Sequence, residues 1–268
     1  MAQTHSLPGL LILDWGASEL PPGCHIAMST RRGGVSPPPY DSLNVSYAVG
    51  DDPVSVTRNR GILAAALRLP LSAVTFAAQA HGLRVQDVGE MERGRGHASL
   101  GDAFAGTDGL LTEQVATPLA ILTADCYPIA VMGDGAIAIA HAGWRGTLGN
   151  LAGRCVAELV RRGQPAGEMT GYLGPGIRDC CYTVDEGRAA AFVERYGEES
   201  GVCSRSPKGM MLDLAMANRL NLQAAGLQAH RIFSQGDCTA CNPEYFSYRR
   251  DGLTGRQAMV IWMSGDAG

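Results

Sequence analysis

Hydrophobic and polar positions along the chain fall into two rhythms. Short apolar runs bounded by Gly, Pro, Asn or Asp predict strands at His25 to Met28, Val74 to Phe76, Leu110 to Thr112, Leu119 to Leu122 and Ile129 to Met132. Further runs predict strands at Ala136 to His141, Gly171 to Leu173, residues 229–234 and Ala258 to Met263. The second rhythm is helical. Asp51-Asp52-Pro53 opens a helix expected to run to about Leu67, before Pro70. Leu148, Leu151, Ala152, Cys155, Val156 and Leu159 repeat at helical spacing, with Thr147 as the expected cap and Arg161-Arg162-Gly163 as the stop. Two more helices are predicted from Asp185 to Tyr196 and from Asp213 to Ala225. Strands and helices mix without regular alternation, which points to an α+β domain spanning residues 1–268.

Between these elements the pattern lapses. The segment before Pro21-Pro22-Gly23 holds a short apolar stretch at Leu10 to Leu13 and is expected to be peripheral, with His5 in a disordered part. Pro37-Pro38-Pro39 forbids regular structure and makes the stretch from Ser29 to Asn44 a long rigid loop. Residues 89–105 show no apolar periodicity and read as a flexible loop with a solvated His97.

The densest chemistry lies in the middle. Leu119 to Leu122, Ile129 to Met132 and Ala136 to His141 are expected to form three adjacent strands, the last two joined by a Gly133-Asp134-Gly135 hairpin. Cys126 and His141 then stand at strand ends, and His81, in Gln79-Ala80-His81-Gly82, ends another apolar run beside a glycine. A thiolate and two imidazoles on rigid strands are the ligand types of a three-ligand catalytic zinc site. Cys155 belongs to a helix core. Cys238-x-x-Cys241 is half of a metal motif, with Cys180-Cys181 as the other half. Adjacent cysteines rarely share one tetrahedral ion, so all four are expected to be buried thiols dispensable for zinc. Gly174-Pro175-Gly176 lacks the spacing of a dinucleotide fingerprint.

Charge narrows the partners. A formal net charge of -4 provides no basic field for nucleic acid or a membrane surface. No apolar run is long enough to span a bilayer, and the N-terminus lacks signal-peptide regions. A cytoplasmic, monomeric enzyme acting on a small molecule is the expectation, and eight dispersed Cys fit a reducing compartment.

The ordered motifs Gln79-Ala80-His81-Gly82, Gly106-Thr107-Asp108-Gly109, Thr123-Ala124-Asp125-Cys126-Tyr127-Pro128, Ala140-His141-Ala142-Gly143-Trp144-Arg145-Gly146, Gly174-Pro175-Gly176-Ile177 with Cys180-Cys181-Tyr182, and Phe246-Ser247-Tyr248-Arg249-Arg250-Asp251 resemble the YfiH family. It is also called the laccase-domain, polyphenol oxidase or peptidoglycan editing factor family. Ser29-Thr30-Arg31 and Ser42-Leu43-Asn44 fit its early motifs, whereas Arg32 stands where another residue is expected. The resemblance implies two stacked mixed β-sheets flanked by helices, a cysteine-hydrolase-like fold related to a bacterial toxin deamidase. It implies that His81, Cys126 and His141 are catalytic and bind zinc. It also implies phosphorolysis of adenosine, inosine, guanosine and methylthioadenosine, with adenosine deamination.

The older assignment of such proteins is a copper-dependent polyphenol oxidase. A four-copper centre is rich in imidazole, and it needs more histidines than the six in this chain. Zinc is therefore the expected metal and copper the alternative. Phosphate calls for cations, for which Arg145, Arg58 and Arg250 are the candidates, with Arg145 favoured for its place four residues after His141. Asn44 and Gln79 complete the expected substrate-binding set. Asp125 either protonates the leaving purine or orients a ligand. A peptidoglycan-precursor hydrolase and a non-enzymatic metal-binding protein are the other readings.

Overall fold

Strands that are apolar on both faces must be covered on both sides, and that requirement sets the architecture. The structure is a computed structural model that describes residues 3–7, 10–14 and 20–265. The chain begins with β1 (Gln3–Leu7), β2 (Leu10–Asp14), β3 (Cys24–Ser29), α1 (Pro53–Ala66), β4 (Thr75–Ala78) and β5 (Val85–Asp87). There follow β6 (Phe104–Ala105), β7 (Gly109–Thr112), β8 (Leu119–Thr123), β9 (Tyr127–Met132), β10 (Ile137–Ala142), α2 (Trp144–Leu148) and α3 (Leu151–Arg161). The C-terminal half holds β11 (Thr170–Leu173), β12 (Thr183–Val184), α4 (Glu186–Tyr196), β13 (Cys203–Ser206), β14 (Gly209–Leu212) and α5 (Leu214–Ala224). It closes with β15 (Ile232–Ser234), α6 (Tyr248–Asp251) and β16 (Gln257–Met263).

One mixed sheet has the order β1-β2-β3-β16-β8-β4-β6, a second has β15-β11-β9-β10-β7-β5, and a small one has β12-β14-β13. Alternation along the strands builds the layers. Ala130, Met132, Ile137 and Ile139 of the second sheet meet Ile26, Met28, Leu119, Ile121, Met259 and Ile261 of the first, so the two sheets stack face to face. Ile129, Val131, Ala138 and Ala140 point the other way, beneath Cys155, Val156 and Leu159 of α3 and Leu222 of α5. On the far side of the first sheet, Ala27, Ala120 and Val260 pack against Leu63 of α1 and against Leu43 and Val45. Cutting a fully buried Ile129 or Ile121 to Ala removes about 2–5 kcal/mol. The α+β architecture of two stacked mixed sheets with outer helices is the expected one.

Several local expectations are corrected. β8 is not a neighbour of β9 and β10: it lies between β16 and β4 in the first sheet, while β9 and β10 form the expected hairpin in the second. An apolar run carries no mark of which sheet it joins. Thr147 does not cap the third helix; it is buried in α2, and Asn150, in the left-handed region at φ 59°, caps α3 by accepting from the Gly153 amide. Residues 89–105 are pinned rather than loose. Arg60 donates to the carbonyls of Gly96 (2.6 Å) and His97 (3.1 Å), and Gly94 packs where a Cβ would stand 1.9 Å from the Ser72 carbonyl oxygen. His5 lies in β1, which pairs with β2 at the edge of the first sheet. Among the described residues no helix is long and apolar enough to cross a membrane.

Candidate active site

Asp108, on the turn into β7, organises the site. Its Oδ1 accepts from His141 Nδ1 at 2.8 Å and from the His81 amide at 2.9 Å. Its Oδ2 accepts from the amides of Ala80 (3.1 Å) and Gly82 (2.7 Å). Three successive N–H groups thus wrap one carboxylate, an arrangement that holds His81 in the left-handed region at φ 58°. With Nδ1 bound to Asp108, His141 presents Nε2 to the site. His141 itself ends β10, where its amide donates to the Asp108 carbonyl at 2.7 Å.

Cys126 arrives from the other sheet. The chain crosses from β8 to β9 through Ala124–Cys126, and Asp125 takes a left-handed φ of 90° there. That strained turn is tied on both sides of the Asp125 carboxylate, by Thr239 Oγ1 at 2.7 Å and the Arg249 amide at 2.6 Å. The Asp125 carbonyl accepts from the Ile177 amide at 2.8 Å. Gly143 leaves the space Cys126 occupies: a Cβ there would lie 2.8 Å from the sulfur and 3.3 Å from His81 Cδ2. The ligand atoms of His81, Cys126 and His141 all lie within 4.8 Å of one another. The two imidazoles meet edge to face at 4.7 Å.

Burial alone would push the Cys126 thiol up, but charge and hydrogen bonding from His141, then from His81, bring it down to about 6. Burial would lower His141, and the thiolate beside it together with Asp108 raises it to about 9 instead. Both shifts run in the direction that favours a thiolate beside an imidazolium. Two imidazoles and a thiolate within reach of one centre are the donor set of a three-ligand transition-metal site with an open position, and the residues fit such an ion.

The three donors line a cavity of about 590 Å³, within the range of small-molecule sites. Of the other expected site residues, Gln79, Asp125 and Arg145 also line it. Gln79 bridges to Leu122, accepting from its amide and donating to its carbonyl. Arg145 is exposed, with its guanidinium 4.6 Å over the Trp144 ring. Arg58, Asn44 and Arg250 are placed elsewhere. Arg58 is exposed on α1. Asn44 is buried, donating to Asp51 (2.8 Å) and accepting from the amides of Ser46 and Arg256. Arg250 is spent on the carbonyls of Thr239 (2.9 Å), Asn242 (3.2 Å) and Tyr245 (2.7 Å) and on Asp251.

Sequence reasoning missed Asp108 as a site residue and did not consider Arg188 and Arg249. Asp108 was visible only as part of a Gly-bounded turn. Arg188, from the first turn of α4, stacks on Trp144 at 4.4 Å and lines the cavity with an Nε that is buried without a hydrogen-bond partner. Arg249 lines it too, braced on the Thr183 carbonyl at 3.2 Å.

The chain's residues 25–264 match the family model described as multi-copper polyphenol oxidoreductase laccase. The chain belongs to this family. Among its relatives, the purine nucleoside phosphorylase YlmD of Geobacillus stearothermophilus is 39% identical, with 92% of this chain and 93% of that protein covered. A purine nucleoside phosphorylase of Xylella fastidiosa is also 39% identical, over 95% of this chain and 96% of its own length. A crystal structure of YlmD from Geobacillus stearothermophilus superposes with a TM-score of 0.91 at 36% identity, covering 98% of this chain and 99% of that one. One of the hypothetical protein YfiH from Bacillus licheniformis gives 0.90 at 32%, covering 96% and 97%. This laccase-like family, with YfiH among its structural matches, is the one the motifs resemble. Among the described residues there is one mixed imidazole and thiolate cluster, while His25 stacks on Trp262 and His97 bonds the Gly94 carbonyl, both outside it.

Proposed function

We propose that the chain is a zinc-dependent purine nucleoside enzyme that cleaves adenosine, inosine, guanosine and methylthioadenosine with phosphate and also deaminates adenosine. The observation that carries this is the His81, Cys126 and His141 cluster opening into a cavity that Arg145, Arg188 and Arg249 also line. Relatives covering nearly the whole chain and named purine nucleoside phosphorylases support the same reading. A zinc ion held by the three donors would supply Lewis acidity toward a water or a substrate oxygen.

The chain's own groups do the rest. Asp108 keeps His141 Nε2 aimed at the site and fixes the backbone that carries His81, so part of the ordering precedes substrate binding. Arg145 and Arg188 flank Trp144 and offer the cations a phosphate needs. Both oxygens of Asp125 already accept hydrogen bonds, which favours a role in presenting Cys126 over proton donation to the purine. Zinc is favoured over a four-copper centre because two imidazoles and a thiolate can hold a single zinc ion and the six histidines of the chain are too few for four coppers.

The test is to incubate zinc-loaded protein with adenosine, with and without phosphate, and to resolve adenine, inosine and ribose 1-phosphate. Phosphate-dependent adenine and ribose 1-phosphate are expected, with inosine forming in either case. Absence of any nucleoside turnover, or oxidation of phenols by copper-loaded protein alone, overturns the reading.

A further inference from the structure

We propose that Cys180, Cys181, Cys238 and Cys241 form a tetrathiolate zinc site, separate from the cluster in the cavity. All four sulfurs lie within 4.8 Å of one another. Cys180 and Cys181 are 3.8 Å apart, Cys180 and Cys241 3.7 Å, and Cys181 and Cys241 3.3 Å. Zinc bound tetrahedrally at about 2.3 Å from each sulfur places neighbouring sulfurs about 3.8 Å apart. The free sulfurs thus already stand near the corners such an ion requires. The expectation of four buried, unrelated thiols is corrected: Cys180 and Cys241 are exposed, and only Cys238 is buried.

The backbone shows why adjacent cysteines can both face one centre. They sit in a turn, where the Cys181 and Tyr182 amides both donate to the Arg178 carbonyl at 2.9 Å, so the two side chains need not diverge as they would on a strand. The parallel pairing of β11 with β15 brings the segments that follow these strands side by side. A bridge between Gly176 and Cys238, with the Thr239 amide donating to the Gly176 carbonyl at 3.1 Å, then fixes their offset. In the Cys238-x-x-Cys241 turn the amides of Cys241 and Asn242 both donate to the Cys238 carbonyl. The Arg178 amide points at Cys238 Sγ from 3.4 Å, as a donor to a thiolate does.

Four thiolates cannot share this space without a cation to offset them. A disulfide would employ only two of the four and leave the convergence of the others unexplained.

Such a site would act as a clamp on one wall of the cavity. The clamped loop carries Thr239, which holds Asp125, and runs into α6, whose Arg249 amide holds the other Asp125 oxygen. Loops without an apolar core of their own are commonly fastened this way.

The experiment uses the full chain, purified under reducing conditions and loaded with zinc. Alkylation of native protein followed by peptide mass mapping should show Cys180, Cys181, Cys238 and Cys241 protected with zinc and modified after chelation. In parallel, the Cys126→Ala chain should bind one equivalent of cobalt with the strong visible bands of tetrahedral all-thiolate ligation. The added changes Cys238→Ser and Cys241→Ser should abolish those bands. Equal alkylation with and without chelator overturns the proposal, as do a Cys181 to Cys241 disulfide in freshly reduced protein and an unchanged cobalt spectrum in the triple variant. Iron at this site in place of zinc overturns the metal assignment. The mapping reads the wild-type chain, so a variant that fails to fold does not rescue the idea.

Discussion

The Asp108 carboxylate lies 2.8 Å from His141 Nδ1 while its other contacts hold the amides of Ala80, His81 and Gly82, so one buried acid orients the His141 imidazole and fixes the backbone that carries His81. Replacing it with Ala removes the acceptor for three amides and an imidazole at once. Asp108→Ala is expected to cost on the order of 3 kcal/mol. Asp108→Asn, which keeps the shape but turns an amide toward these donors, should weaken metal binding about 10- to 100-fold. Zinc titration and urea unfolding check both. Burial would raise the Asp108 carboxyl, but the His141 hydrogen bond and the amides hold it below its usual value. Its stabilising contribution is therefore complete above the unfolded pKa of about 3.9 and lost as pH falls through the lower folded value. In the metal-free chain the stability gap between wild type and Asp108→Asn should narrow in acid, as pH falls through the folded Asp108 value, and again as pH rises toward about 9, because Asp108 helps to raise His141. A gap that stays constant from neutral pH down through strong acid contradicts this account.

In metal-stripped protein, Cys126 should react with iodoacetamide as a thiolate from mildly acidic pH upward. Its pKa lies near 6, so the alkylation rate should reach half its plateau there. Cys155, pushed up by burial to about 12, should stay unmodified in the folded chain. His141→Ala removes the imidazolium and should move the Cys126 midpoint upward. A wild-type midpoint near the ordinary thiol value of about 8.5 would show that the pair does not form.

Gly143 tests whether the cluster is as tight as its distances imply. A methyl group there would meet Cys126 Sγ at 2.8 Å, too close for either atom to stay in place. Gly143→Ala should retain the fold, with a thermal midpoint near that of wild type, while the metal held by His81, Cys126 and His141 drops by at least half. Full metal occupancy in this variant would mean that Cys126 is free to move.

Much of this was legible in the sequence because it is local. Asp52, Asp185 and Asp213 cap α1, α4 and α5 where cap chemistry places them, and the alternating apolar positions of β9 and β10 give a hairpin buried on both faces. The three donors could be nominated because each ends an apolar run. Illegible were features that depend on which segments meet. β8 and β9 are separated by a three-residue crossing between sheets, Ala124–Cys126, and nothing in Leu119 to Leu122 says so. Asp108 stands in the Gly106-Thr107-Asp108-Gly109 motif, but nothing local gives its role, since its partners lie around residues 81 and 141. Arg58 and Arg250 looked like phosphate cations by type alone, and their surroundings, solvent for one and carbonyls for the other, decide otherwise.

Arg145 allows the two proposed activities to be separated. Its guanidinium is exposed at the cavity, rests 4.6 Å over Trp144 and makes no hydrogen bond or ion pair among the described residues, so it is a cation available to an incoming anion. Phosphorolysis needs a bound phosphate, whereas deamination needs only water. Arg145→Ala should therefore lower kcat/KM for phosphate-dependent cleavage by about 10- to 150-fold, the equivalent of about 1.5–3 kcal/mol for a charged hydrogen bond, and leave adenosine deamination within about threefold. Packing is the competing explanation, because the change also uncovers one face of Trp144. Arg188 still covers that ring at 4.4 Å, so zinc content and thermal midpoint should hold in Arg145→Ala. Arg188→Ala supplies the comparison. Its Nε is buried and unpartnered at the same cavity, and its loss should raise the phosphate KM as well. Equal loss of both activities in Arg145→Ala, with metal and fold intact, would assign Arg145 to nucleoside binding and leave Arg188 as the phosphate cation.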